Sequence, residues 1–319
     1  MFRSLFTVAL TLTAASAAAQ SWPSKPVRMV VPYAAGGAVD AMARVFGQKY
    51  SEVLAQPVVI DHRPGAGGNI GSELVAKSAP DGYTWLVNTG GQAIAPALYR
   101  KLNYDAVKEL APVASWVAGA LLLVTPPQVP VNSLKELLAL AKSQPGKLNY
   151  GSTGIGGSPH LAQEMLKSMA GLDVVHVPYK GDAALFPALF TNEVQFGVVP
   201  SQTALAHVKS GKVRVLAVTM AKRSTSLPDV PTMDEAGVPG FEYSGYTALW
   251  VQGGTPRDIV RRISDETARV AKMPDVVKYY GVWGVEPFYL GTEAFNARYL
   301  ADIEKFRKLI REANIPQVD

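Results

Sequence analysis

The stretch VRMVVPYAAGGAVD, residues 27–40, decides the fold class. Its first five residues, Val27–Val31, form a short, mainly apolar run that predicts a strand. Gly36 and Gly37 then mark a turn, and Ala41, Val45 and Val53 follow at helical spacing. Strand, glycine turn and helix in that order open a βαβ unit. Outward from there, Val58–Ile60 and Thr84–Val87 read as the next strands. Short strands that alternate with helices predict an α/β fold with largely parallel sheets.

Later helices announce their ends. Ser133 and Glu136 form a capping box, in which each side chain satisfies an orphan backbone N–H. Leu134, Leu137, Leu138 and Ala141 then give a helical stripe, stopped by Pro145-Gly146. Ser158-Pro159 reads as an N-cap with proline at the first helical position. Leu161, Met165, Leu166 and Met169 share its core face, and Gly171 suits its C-cap. Thr255–Asp258 reads as the start of a third capped helix, and Phe295, Tyr299, Phe306 and Ile310 as the core face of the last one.

A chain of 319 residues is expected to form two domains. The apolar runs Leu121–Val124 and Leu249–Val251, each followed by a Pro- or Gly-rich loop, read as crossings between two lobes. Lobe 1 would then hold residues 20–122 and 246–319, and lobe 2 residues 123–245. Strands that cross twice between lobes serve as hinges.

The chain opens with Met1-Phe2-Arg3, continues with an apolar run over Leu5–Ala15, and reaches Ala17-Ala18-Ala19. This is the layout of a secretory signal peptide over residues 1–19, with cleavage before Gln20 and a periplasmic mature protein. A buried N-terminal helix is the rival reading, and Pro23 and Pro26 continue it poorly. The absence of cysteine removes disulfides and thiolate metal sites. The formal charge of +5 is scattered without runs, which argues against nucleic acid or a membrane surface as partner.

Three glycine-rich turns carry the functional reading. The first, residues 32–40, leads from a strand into a helix. Its glycines let backbone approach a ligand, and the helix N-terminus beyond attracts anions. An ordinary strand-to-helix turn capped by Asp40 is the alternative. The second, Arg63–Gly71, resembles a dinucleotide fingerprint, but the third glycine position falls on Ile70, so it reads as structural. The third, Gly151–His160, repeats the logic of the first: glycines, hydroxyls, then a helix N-terminus. Two such loops, one per lobe, would grip opposite ends of one carboxylated molecule.

Catalytic patterns are missing. The chain has no G-x-S-x-G, H-E-x-x-H or P-loop motif, and His62, His160, His176 and His207 show no i, i+4 spacing. No catalytic residue, metal site or cofactor is therefore expected. His160 either donates to a ligand or caps its own helix start. His176 reads as a satisfied core histidine.

Together, the segments VRMVVPYAAGGAVD, QPVVIDHRPGAGGNIG, PGKLNYGSTGIGGSPHLAQEM, HVPYKG, GKVRVLAVT and LPDVPTMDEAGVPGFE resemble the Bug (TctC-like) family of extracytoplasmic solute receptors, from about Pro23 to near the C-terminus. The resemblance implies a type II periplasmic-binding-protein fold, two lobes joined by hinge strands, and a small carboxylate held in the cleft. It implies ligand contacts from Tyr33, Ala35, Gly36, Gly37 and Asp40 in lobe 1. In lobe 2 it implies Ser152, Thr153, Gly154, Gly156, Ser158 and His160, joined by Tyr179, Lys180 and Gly181. Membrane transporter subunits are the implied partners of a receptor expected to be monomeric. A receptor presenting ligand to a signalling partner, and a periplasmic enzyme, are the rival functions.

Three departures bear on the ligand. Ala38-Val39 stands where the family tends to carry hydroxyls, residues 194–201 (VQFGVVPS) are neutral where relatives are often acidic, and Tyr246 stands where many have Trp. A less polar site implies a carboxylate with an apolar or aromatic body.

Overall fold

The computed structural model describes residues 22–225, 227–312 and 315–318; the expected signal peptide lies outside them. The chain begins with β1 (Val27–Val31), α1 (Ala38–Leu54), β2 (Val58–His62), α2 (Asn69–Ala76), β3 (Thr84–Thr89), α3 (Gly91–Leu98) and β4 (Leu110–Gly119). It continues with β5 (Leu121–Thr125), α4 (Leu134–Ser143), β6 (Asn149–Ser152), α5 (Ser158–Ala170), β7 (Val175–Pro178), α6 (Asp182–Phe190), β8 (Phe196–Pro200), α7 (Ser201–Lys209) and β9 (Arg214–Val218). It ends with β10 (Gly245–Gln252), α8 (Arg257–Val270), α9 (Pro274–Trp283), β11 (Val285–Pro287) and α10 (Thr292–Glu312).

The strands form two sheets, in the orders β11-β4-β10-β3-β1-β2 and β7-β6-β8-β5-β9. Both are mixed, which corrects the expectation of largely parallel sheets. Parallel pairing is confined to β1 with β2 and β3, and to β6 with β7 and β8. A parallel pair needs a crossover connection, and each of these pairs has at least one helix between its strands in sequence. β5 and β10 arrive directly from the other lobe and pair antiparallel.

The two apolar runs taken as crossings are each a buried strand of a single sheet. Leu121–Val124 lies in β5 and Leu249–Val251 in β10. The chain changes sheet at Ala120, between β4 and β5, and again just before β10. The crossings run side by side, since Gly119 pairs with Gly245, and Thr219 N–H donates to Leu121 O at 3.0 Å.

One apolar core runs through both lobes, joining Leu86, Trp250 and Phe295 to Leu123, Tyr150 and Leu216. A second lies on the other face of the first sheet, where Phe46 stacks on Trp116 at 4.2 Å. A third covers the other face of the second sheet with Leu185, Phe186 and Leu189. Each such side chain, fully buried, stabilises by roughly 1.5–3 kcal/mol. Phe295, Tyr299, Phe306 and Ile310 are buried as their spacing required, whereas Met169 on α5 is exposed.

Two helix starts differ from the sequence reading. α5 has Gly157 as its N-cap, with Ser158 and Pro159 already helical. α8 has Pro256 as N-cap and no side-chain cap, because the Thr255 hydroxyl donates back to Gln252 O at 2.7 Å.

Candidate functional site

Parallel strands send their carboxyl ends to one side of a sheet, and ligands gather there. In this chain both sheets point that side at the gap between the lobes. A cavity of about 60 Å³ lies in the gap. From lobe 1 it is lined by Tyr33, Ala34, Ala35, Gly37, Ala38 and Val39 after β1, and by Thr89 at the end of β3. Lobe 2 contributes Thr153, Gly157, Ser158 and Pro159 after β6, Lys180, Gly181, Asp182 and Ala183 after β7, and Pro200 ending β8. A second cavity of about 50 Å³ shares Ala38, Val39, Thr89, Ser158, Pro159 and Pro200 with it and extends to Met42, Gln202 and Tyr246.

The lobes touch around this space. Asp182 Oδ2 accepts the Ala38 N–H at 3.3 Å, Tyr99 Oη donates to Ile155 O at 3.2 Å, and the Thr89 and Ser158 hydroxyls lie 3.4 Å apart. The second glycine loop, read as structural, reaches across the gap as well. A Cβ on Gly67 (φ 62°) would sit 2.5 Å from Ile155 O, so only glycine allows this approach.

Four helices direct their N-termini at the cavity. α1, α5 and α6 open on Gly37, Gly157 and Gly181, and α7 opens on Pro200, none with a capping side chain from the N-cap residue. The first N–H groups of a helix have no intrahelical acceptor, and the dipole adds partial positive charge. A cavity built this way can hold an anion through backbone N–H groups, while alanine, valine and proline side chains supply apolar walls.

Seven of the fourteen anticipated residues line the first cavity: Tyr33, Ala35, Gly37, Thr153, Ser158, Lys180 and Gly181. The other seven do not line it. Asp40 braces its own loop, accepting the Gly36 N–H at 2.8 Å and meeting His62 Nε2 at 2.8 Å and Arg44 at 3.0 Å. Burial works against its charge, but these partners hold the carboxyl below its ordinary value. His160 does the same for the third loop: Nδ1 accepts the Gly156 N–H at 3.3 Å. This bond is the bracing role that the sequence offered as one of the two readings of His160. Its ring stacks on His176 at 4.4 Å, and burial pushes both imidazoles down to about 4, so both are neutral. Ser152 is buried with its hydroxyl 2.6 Å from His176 Nε2, which satisfies that histidine, and Gly154 bonds the same hydroxyl. Tyr179 turns away to donate to Glu193 at 2.8 Å.

Tyr33 donates to Asn88 Oδ1 at 2.8 Å, and burial pushes its phenol up to about 12. Thr89, Asp182 and Pro200 were missed. Thr89 and Pro200 end strands, and Asp182 directly follows the HVPYKG segment, so strand-end position was the available signal. Among the described residues no group of three or more His, Asp or Glu is placed to hold a metal.

The sequence profile described as "Tripartite tricarboxylate transporter family receptor" matches residues 42–315. A protein of Pseudomonas sp. (strain P51), described as "UPF0065 protein in tcbD-tcbE intergenic region", is 36% identical over 314 residues, covering 97% of this chain and 94% of its own. The solved structure "R. palustris Rpa4515 with adipate" superposes with a TM-score of 0.89 at 32% identity, over 93% of this chain and 100% of that one. "MatC (Rpa3494) from Rhodopseudomonas palustris with bound malate" gives 0.86 at 29% identity, over 91% and 100%.

Proposed function

We propose, from the premise that this chain belongs to the tripartite tricarboxylate transporter receptor family, that it captures a small carboxylate between its lobes and delivers it to a membrane transporter. The observation that carries the reading is the convergence of four helix N-termini from both lobes on one cavity. Such a site holds a carboxylate through backbone N–H groups, without a fixed cation. The solved relatives with adipate and malate support the same ligand class. Ala34, Ala35, Ala38, Val39, Pro159 and Pro200 around the cavity favour a ligand with an apolar body.

The ligand would enter with the lobes apart. They close about the paired Gly119–Gly245 crossing, near the proposed lobe boundaries at residues 122 and 246. Closure follows only from the ligand's extra affinity for the closed arrangement. The Ser152–His176 pair does not make the site an enzyme. Its serine is fully buried and its hydroxyl is bound within its own loop, out of reach of a substrate. The receptor is exported, acts as a monomer and uses no cofactor in this reading.

A thermal-shift panel on the protein stripped of bound solute tests it, with di- and tricarboxylates, aromatic and aliphatic monocarboxylates, and amino acids. A ligand at one hundred times its dissociation constant stabilises by about 2.7 kcal/mol. A clear shift with carboxylate-bearing solutes, amino acids included, is expected, larger for apolar bodies than for citrate. No response to any carboxylate would overturn the reading.

A further inference from the structure

Asp182 is the first residue of α6 and is only 7% exposed, yet it lines the cavity. Its Oδ2 accepts the Ala38 N–H at 3.3 Å, across the gap between the lobes. Its Oδ1 has no hydrogen-bond partner, the only buried carboxylate oxygen in that condition among the described residues. The neighbouring Thr203 hydroxyl donates to Pro200 O at 3.2 Å and also lies near enough to Asp182 to favour its charged form. Lys180, two residues earlier, is exposed and makes no ion pair among the described residues.

Two consequences follow. The N-terminus of α1, the anion site of the first glycine loop, already holds a carboxylate of the protein itself. A ligand's carboxylate is therefore left with the α5 side of the cavity, where Thr153, Gly157 and Ser158 stand. The opposite pole of the ligand would face the α6 end of the cavity, where Asp182 stands with its Oδ1 without a partner at hydrogen-bond distance. A second carboxylate there would place like charges together in a poorly solvated space.

We propose that Asp182 sets the ligand class: the cleft takes a monocarboxylate whose second polar group is a hydrogen-bond donor, an ammonium ahead of a hydroxyl, in preference to a dicarboxylate. This rests on the carboxylate reading of the cleft given above. It sets the chain apart from the relatives solved with adipate and malate. Burial pushes the Asp182 carboxyl up to about 6, so at neutral pH it is mainly a buried anion; Lys180 lines the same cavity but makes no ion pair with it, and a cationic donor on the ligand would supply that contact.

The test is calorimetric titration of the solute-free protein with four C4 probes: 2-aminobutanoate, 4-aminobutanoate, butanoate and succinate. One of the two amino acids is expected to bind roughly 10- to 100-fold more tightly than butanoate and succinate, the range of one charge-assisted hydrogen bond. In Asp182→Asn and in Asp182→Ser the preference should collapse and succinate should gain affinity. Succinate binding wild type as tightly as the better of the two amino acids would overturn the inference, as would a preference unchanged in both folded variants. Silence toward all four, in a protein that answers to other carboxylates, would overturn it and leave the carboxylate reading standing. Silence toward every carboxylate would overturn both.

Discussion

Helices α4 and α5 both lie in the second lobe, and they begin in opposite ways. α4 opens on Ser133, whose hydroxyl accepts the Glu136 N–H at 3.2 Å, while the Glu136 carboxylate accepts the Asn132 N–H at 2.7 Å. The helix satisfies its own start. α5 opens on Gly157 with no capping side chain, at the cavity wall. A missing cap marks nothing alone, since α8 and α9 also lack one. What distinguishes α1, α5 and α6 is glycine at the N-cap together with a cavity in front of it. At α5 the stability that a cap would contribute, about 1 kcal/mol, is left for a ligand to supply, whereas at α1 the Asp182 carboxylate from the other lobe accepts the Ala38 N–H. The two cleft loops keep their shape by bracing one turn further in, with Asp40 on Gly36 and His160 on Gly156.

Acid should separate these braces, with the largest effect. Burial holds His160 down at about 4, below the ordinary histidine value, so the fold favours its neutral form. Stability from that preference is complete above about pH 6.5 and is lost as pH falls toward 4, about 3 kcal/mol in all. Asp40 is held below the usual carboxylate range, so its brace survives through that window. Asp182 works the other way: its raised value near 6 means the folded state gains stability from this group as pH falls from 7 to 4. Comparing wild type with His160→Asn isolates the histidine. Melting temperatures from pH 7.5 to 4.5 should fall less in the variant, and parallel curves would refute the assignment.

Gly157→Asp would make α5 resemble α4. Gly157 has φ −78° and a Cβ there meets only ordinary contacts at 3.7 Å, so the backbone admits the change. The new carboxylate caps the helix and should raise stability by about 0.5–2 kcal/mol. It also occupies the site intended for the ligand, so carboxylate affinity should fall by about 1.5–3 kcal/mol. Stability and affinity moving in the same direction would break the comparison. Gly67→Ala acts on closure instead of on the anion. Its methyl would press on Ile155 O from the other lobe, so the closed arrangement should lose about 1–3 kcal/mol and affinity with it. Scattering should show wider lobes with ligand present; compact lobes would contradict this.

The βα alternation and the first and third glycine loops were legible because strand periods and turn residues are local signals. The mixed sheets were not, because β5 and β10 owe their direction to where the chain arrives from, which no window of residues records. The same limit explains the site. Thr153, Gly157 and Ser158 are near one another in sequence, but Asp182 meets Ala38 across 144 positions. Its carboxylate gains meaning only once the lobes are side by side. Asp40 and His160 were located correctly on their loops, but a side chain's choice between ligand and its own backbone depends on a bond of about 3 Å that spacing cannot resolve.

The smallest expected effect tests the other half of the comparison. Ser133→Ala removes the α4 cap, whose geometry lies wholly within residues 132–136 on the surface of lobe 2, away from both cleft cavities. The Glu136 N–H would turn to water, so the cost should be about 1 kcal/mol of unfolding free energy. Ligand affinity should not change, because neither lobe closure nor the cavity involves α4. Denaturant unfolding and titration on the same preparation check both parts. If Ser133→Ala weakened ligand binding as much as Gly157→Asp, helix starts would be coupled through the lobe as a whole. The open N-termini at the cleft would then no longer be the feature that sets the site apart.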